Sequence, residues 1–522
     1  MTMMAKREEI MGLVFRIGTV FCLTGLLSAT PSLAQKTPTG EVVVIVPYTF
    51  SMNGGDCHTS SGAGSQPVGT AIHDGLVIKG QDGSILPAVA KSWEVSKDGL
   101  SIKFTLNERA RFHNGEPVTA KDVKFSIERS TRPELKFFRG GPLKRAFDRI
   151  EVADDHHLTV FFKSPYPAIF EWSALHIGII PKTYVESVGD AEFARRPIGC
   201  GPFRWVEGKQ DIFVKAEAVE GHYRKTPSVK TIQFKFMTEP TTTMAMYKAG
   251  EADIVQIPTE SLREVQNDPK YRIAWSKKVF APSLLFCDLA FPNESSPFQD
   301  VRVRRVASYA INRKAICERL LHGAAEPWGD ILAPYQPGFD PNIKPTSYDP
   351  EKAKALLKEA GYPNGFDTTF TYGFLGDKIE VQAMAADLAR VGIRAKLVEL
   401  EFGTFINHFR EKKFRGLTRS PQPSWQGISH PGVCLESQSS ESYWSYYSTP
   451  KIDAAFSKLA KITDEKAIGA QAKEFSRVWH EAETRYMLWA FNVPLGLSPK
   501  IKTYKLVPGM RFMIGFEFLE LN

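Results

Sequence analysis

Hydrophobic residues recur along this chain with two periods, and each period marks its own kind of element. Residues 41–47 (EVVVIVP) are an almost unbroken β-branched run, the pattern of a strand buried on both faces. Between residues 87 and 129 the period is first two and then nearly four. Residues 93–95 predict a short strand and Asp98-Gly99 a hairpin turn, after which Ile102, Phe104 and Leu106 alternate on the returning strand. Asn114-Gly115 predicts a second turn. Thr119, with Asp122 three residues on, forms a capping box that opens a helix carrying Val123 and Ile127 on one face.

The same reading continues downstream. Residues 150–152 and the alternating Leu158, Val160 and Phe162 predict two strands around a turn at 154–157. His156 and His157 lie on that turn and point to different sides with no third ligand nearby, so a solvated turn is expected rather than a metal site. Ile232, Phe234 and Phe236 alternate, and a short helix over 241–248 stops at Gly250. Asn312 is expected to cap a helix ending at Gly323, and Arg302 and Arg304 to pair with Asp300 or other acids of their own lobe. Asp349-Pro350 opens a helix with Ala353, Leu356, Leu357 and Ala360 on one face. A strand over 368–374, a helix over 377–391 and a strand over 393–397 make a βαβ unit. Residues 414–449 break all periodicity, yet Trp425, Tyr443, Trp444, Tyr446 and Tyr447 argue against disorder there. Helices over about 450–462 and 465–486 follow.

At 522 residues the chain can build two or three domains with sizeable cores. Its net charge of +8, from 66 basic and 58 acidic residues, is spread without blocks, which gives no footprint for nucleic acid. Lys6, Arg7 and Arg16 precede an apolar run over 17–29, and Ser32-Leu33-Ala34 suits cleavage before Gln35. Residues 1–34 are therefore expected to be a removable secretory signal. Five cysteines would remain after cleavage, and none forms a CxxC pair.

Enzyme motifs mostly fail. The Gly/Ser-rich segment 48–67 lacks GxxxxGK[ST], no GxSxG occurs, and His480-Glu481 has no second His at HExxH spacing. Ser448 to Lys451 matches SxxK but lacks its SDN and KTG partners, so Ser448 or Thr449 reads as a helix cap before Pro450. Residues 197–203 (PIGCGPF) set two glycines one residue apart, for a tight crossover or for close approach to a ligand.

Several longer patterns coincide with one family. The order Trp93, Asp98-Gly99, Phe104-x-Leu106, Phe112-His113-Asn114-Gly115, Thr119-Ala120-x-Asp122-Val123 closely resembles the family 5 extracellular solute-binding proteins, receptors of ATP-binding-cassette importers for dipeptides, oligopeptides and nickel. PIGCGPF, PFQDVRVRRVA…AINR at 297–313 and YDPEKAKALLKEAGY at 348–362 match further family elements. The resemblance implies an α/β, two-lobed periplasmic binding protein (type II, cluster C-like) with an extra α+β domain inserted in the first lobe. It places the first lobe at 35–80, 191–280 and 493–522, the extra domain at 81–190 and the other lobe at 281–492. It further implies a monomer without cofactor or catalytic turnover, located in the periplasm. The partners would be a small-molecule ligand and an inner-membrane ABC permease with its ATPase subunits. The same fold also serves chemoreceptor-docking proteins.

The resemblance also implies site residues. Peptide receptors of the family hold the ligand ammonium with an Asp in the long loop of the second lobe, but residues 418–433 contain no Asp or Glu. They offer Arg419, Gln422, Trp425 and His430 instead, which puts α-peptides in doubt and suits an anionic or neutral polar solute. Nickel receptors use basic and aromatic residues on the extra-domain side, where Phe138, Arg139 and His176 fall. Arg139, His176 and Arg419 together would make a cationic pocket for a carboxylate, a phosphoester or a metal chelate. By the same resemblance, Cys287 and Cys434 are expected to form a disulfide.

Overall fold

The structure, a computed structural model, describes residues 37–522 except 60–63, 136, 138–139, 374–376, 421–424, 426, 463 and 512. Thr39–Val46 forms the predicted strand near the middle of an eight-stranded sheet. It pairs in parallel with Val229–Phe236 and with Ile254–Gln256. Phe213–Ala218 and Phe203–Lys209 extend one side of the sheet in antiparallel fashion. On the other side Trp489–Leu497 lies between Ile254–Gln256 and Arg272–Phe280, antiparallel to both. Val42, Val44 and Val46 pack into one cluster with Phe50 and Phe234, while Ile45 packs with Met244 and Tyr247 in another. A core on each face explains why the run never alternates, and each fully buried aliphatic side chain contributes about 1.5–3 kcal/mol.

The hairpin read from residues 93–106 is part of a four-stranded antiparallel sheet. Its order is Ala90–Val95, Ser101–Leu106, His157–Phe162, Phe147–Val152. Ile102, Phe104 and Leu106 face inward, and the helix Ala120–Ser130 lays Val123 and Ile127 on them. The capping box forms as predicted: the Thr119 N–H donates to Asp122 Oδ2 at 3.0 Å. His157 Nδ1 meets Asp154 at 2.9 Å on a half-exposed turn.

A second large sheet has five strands, in the order Ile393–Glu399, Phe366–Tyr372, Leu417–Ser420, Ser283–Phe286, Arg485–Met487. The first three are parallel and the last two antiparallel additions. Leu417–Ser420 is its middle strand, which corrects the reading of 414–449 as aperiodic throughout. Four residues are too few to show a period, and the polar Thr418 is buried because its hydroxyl donates to the Thr371 carbonyl at 2.7 Å. The helix expected from Asn312 to Gly323 also differs. Asp300 caps Val301–Ala310, whereas Asn312 caps a single turn, Arg313–Ala315, that widens into a π-helix over Ile316–Leu320. Arg302 pairs with Asp300 as read, but Arg304 donates to the carbonyls of Phe298, Gln299 and Glu483.

The chain passes between the two large sheets at two adjoining points. Arg272–Phe280 continues through Ala281-Pro282 into Ser283–Phe286, and Arg485–Met487 continues through Leu488 into Trp489–Leu497. The crossings touch, because the Leu488 N–H donates to the Pro282 carbonyl at 3.0 Å. Phe280 and Phe491 stack beside them with centroids 4.5 Å apart. Two lobes with separate cores thus share a narrow double connection. One further cluster joins Trp172 and Ile177 of the four-stranded region to Trp425, Ile428 and Leu435 of the second lobe, so the lobes are shut on each other.

Candidate binding cleft

The site lies where the loop after Thr39–Val46, the helix Ala168–Leu175 and the stretch 425–438 converge. Gly75, Gly199 and Gly201 set this frame. A Cβ on Gly75 would lie 1.9 Å from the Ser173 carbonyl oxygen, and one on Gly199 2.0 Å from that of Ile72. A Cβ on Gly201 would lie 2.6 Å from the Ala71 carbonyl oxygen. These glycines let backbone pack on backbone at the end of the helix Gln66–Ile72, which favours the crossover reading over direct ligand contact.

Cys57, His73, Ser173 and His176 line a small recess beside that helix. His176 caps the helix Ala168–Leu175 and tilts against Trp172. Burial pushes the Cys57 thiol well up, so it is neither thiolate nucleophile nor ready metal ligand. Asp56, Cys57 and His58 are the described group with metal-like spacing, but their donor atoms are already engaged. Arg129 clamps Asp56 at 2.6 and 3.0 Å and donates to His58 Nδ1 at 3.1 Å. His58 Nε2 in turn meets the Gly178 carbonyl at 2.9 Å. Burial, reinforced by Arg129, pushes the His58 pKa down to about 3, which keeps the ring neutral. A cation would have to displace a buried guanidinium, so this cluster is a brace.

A second brace holds the neighbouring strand and loop. Arg224 binds Asp74 at 2.7 and 2.8 Å and Glu517 at 2.8 Å, with the Tyr223 hydroxyl also donating to Asp74.

Across the cleft the lobes are joined by a buried ionic clasp. Lys79 and Glu171, whose side chains are 0% and 3% exposed, pair at 2.7 Å. Glu171 Oε1 then accepts from the Ser429 N–H at 3.0 Å, the Ser429 hydroxyl at 2.8 Å and the His430 N–H at 3.2 Å. Lys79 also donates to Ser429 Oγ at 2.7 Å. Burial pushes the His430 pKa down to about 4 despite Glu171 alongside. Sequence reasoning missed this clasp. Its only trace is an acid inside AIFEWSAL and a lysine ending LVIK, charges set among apolar neighbours.

The expected site residues are placed as follows. Arg419 is buried and pairs with Glu380 of the helix Asp377–Arg390 at 2.9 Å, so its charge is balanced within the second lobe. Trp425 is fully buried, its indole N–H donating to the Ile331 carbonyl at 2.8 Å and its ring edge-on to Trp328. It anchors the shut face as core rather than as a ligand platform. His176 lines the recess, while Phe138, Arg139 and Gln422 lie outside the described residues. The expected disulfide is corrected: no disulfide joins Cys287 and Cys434. Cys287 packs with Phe405, Phe409 and Tyr446, whereas Cys434 belongs to the interlobe cluster and accepts from Gln336 Nε2 at 3.3 Å.

Two lobes on a double crossing, shut over a cleft, are the architecture of a solute receptor, and residues 84–426 match the middle region of the bacterial extracellular solute-binding proteins, family 5. The chain belongs to that family. Among family 5 relatives it is 26% identical to the glutathione-binding protein of Pectobacterium atrosepticum, over 96% of this chain and 97% of that one. It is 27% identical to heme-binding protein A of Haemophilus influenzae, over 86% of each. The fold also matches NikA of Brucella suis in complex with Fe(III)-EDTA, with a TM-score of 0.82 and 22% identity over 93% of this chain and 100% of that one. DppA of Helicobacter pylori in complex with the peptide STSA gives a TM-score of 0.77 and 22% identity, over 92% and 98%. Among the described residues no helix is long and apolar enough to cross a membrane.

Proposed function

We propose that this protein is the periplasmic solute-binding component of an ATP-binding-cassette importer, delivering one small solute to a membrane permease without altering it. The observation that carries the reading is the pairing of a double interlobe crossing at Pro282 and Leu488 with a buried clasp at the far side of the cleft. A solute that adds contacts only in the shut form shifts the open–closed equilibrium toward it, and the shut form docks. Residues 81–190 act as the extra domain, and residues 1–34 as an export signal removed before Gln35.

The solute is a small polar organic molecule, peptide-like or anionic. Support comes from the lack of Asp or Glu in 418–433 and from relatives named for glutathione and dipeptides. His176, with Phe138, Arg139 and Gln422, would contact it. Mass spectrometry of the molecule that co-purifies with the mature protein, followed by calorimetry with glutathione and a dipeptide, tests the reading. A protein that shows no closure on binding and that turns over its ligand would overturn it.

A further inference from the structure

Among the described residues five arginines are buried and a sixth, Arg224, is nearly so, and all but one of them have an evident balance. Arg129, Arg224 and Arg419 bind carboxylates. Arg304 and Arg313 each donate to several groups of the main chain or of Ser308. Arg485, on the edge strand Arg485–Met487, differs from all five. It is 4% exposed, donates once, from Nη2 to the Trp444 carbonyl at 3.3 Å, and its Nη1 meets no acceptor. Among the described residues no carboxylate pairs with it, and burial pushes its pKa down to about 10.

A second cation grips the same turn. Lys412 Nζ donates to the carbonyls of Ser442, Tyr443 and Ser445 at 3.5, 3.0 and 2.5 Å and lies 5.1 Å from the Tyr446 ring. Its three N–H groups are thereby used, whereas most of the five guanidinium donors of Arg485 are not. Arg485 is close enough to disfavour the charge on Lys412, which is pushed down to about 8 by burial and then by Arg485. Arg485 shares its sheet face with its register partner Leu285, which packs with Cys287 and Phe405. A buried guanidinium without a counter-charge, with a second, half-buried cation beside it, is costly, and a single desolvated anion would neutralise them.

We propose that Arg485 Nη1, backed by Lys412, binds a resident monovalent anion of chloride size within the second lobe. Arg485 is only 4% exposed, too deep for a large solute to reach its guanidinium, so the occupant is a small inorganic ion. Such an ion ties the turn to the strand that enters the crossing at Leu488, in the open and the shut form alike. The site is independent of the transported solute.

The test uses the mature chain, residues 35–522, without solute. Thermal unfolding is followed as sodium gluconate is replaced by sodium chloride or bromide at constant ionic strength. The wild type is expected to show a saturable rise in midpoint with either halide, and Arg485→Met and Lys412→Met to lose that rise. A bromide-soaked crystal is expected to show an anomalous peak against Arg485 Nη1, a readout that holds even if a variant fails to fold. No halide-dependent shift in the wild type, a full shift retained in Arg485→Met, or a bromide-soaked crystal without that peak would each overturn the proposal.

Discussion

Glu171 Oε1 receives both the backbone N–H and the hydroxyl of Ser429, a residue of the opposite lobe, at 3.0 and 2.8 Å. Shutting the cleft therefore places a loop on a carboxylate whose other oxygen already holds Lys79. Glu171→Gln would leave the Lys79 ammonium buried without its partner, and breaking a buried pair costs about 3–5 kcal/mol. Opening relieves that cost by wetting the lysine. Solute-free Glu171→Gln is thus expected to scatter X-rays with a larger radius of gyration than wild type, and Lys79→Met combined with Glu171→Leu to recover part of the difference. Identical scattering curves for wild type and Glu171→Gln would refute the clasp.

Thr119 and Asp122 satisfy each other and the first N–H groups of the helix Ala120–Ser130. Asp122→Ala is expected to cost about 1 kcal/mol in urea unfolding, with little change in the slope. Val123 and Ile127 still hold the helix on its sheet, so the fold should survive.

Buried histidines set the acid limit, His73 and His222 among them, both held below the ordinary value by burial. Burial pushes His58 down to about 3, and His113 and His430 down to about 4, from an ordinary value near 6.5. Below pH 6.5 the unfolded chain binds protons there that the folded chain refuses. Their contribution is fully present above that pH and is lost as pH falls toward 4, by up to about 1.4 kcal/mol per pH unit for each ring. Urea midpoints at pH 7.5 and pH 5 should show the decline, and His58→Gln should make it shallower.

The five cysteines of the described residues should all react as thiols in the denatured protein, since none of them is in a disulfide. A reducing agent is expected to leave the unfolding midpoint unchanged. A fall in the midpoint with dithiothreitol would mean that Cys287 and Cys434, or another pair, are bonded after all.

Elements with a long period were legible before any coordinates. Ile102, Phe104 and Leu106 announce a half-buried strand because one side of their sheet faces a helix and the other does not. The strand Leu417–Ser420 hid because it is short and polar, its Thr418 hydroxyl paid for by a carbonyl only the fold supplies. The same limit applies to Arg419, which reads as a ligand cation until Glu380 arrives from a helix some forty positions upstream. The Lys79–Glu171 pair spans 92 positions, and no local pattern could join them. The family resemblance likewise offered Cys287 and Cys434 as partners, but the thiols sit in different hydrophobic clusters.

Trp489–Leu497 occupies an interior place in the sheet that Thr39–Val46 begins. A ribosome delivering this chain from its N-terminus holds that sheet with a gap until nearly the last thirty residues have emerged. That sheet cannot lock into its final shape early, and so it stays unfinished for almost the whole of synthesis.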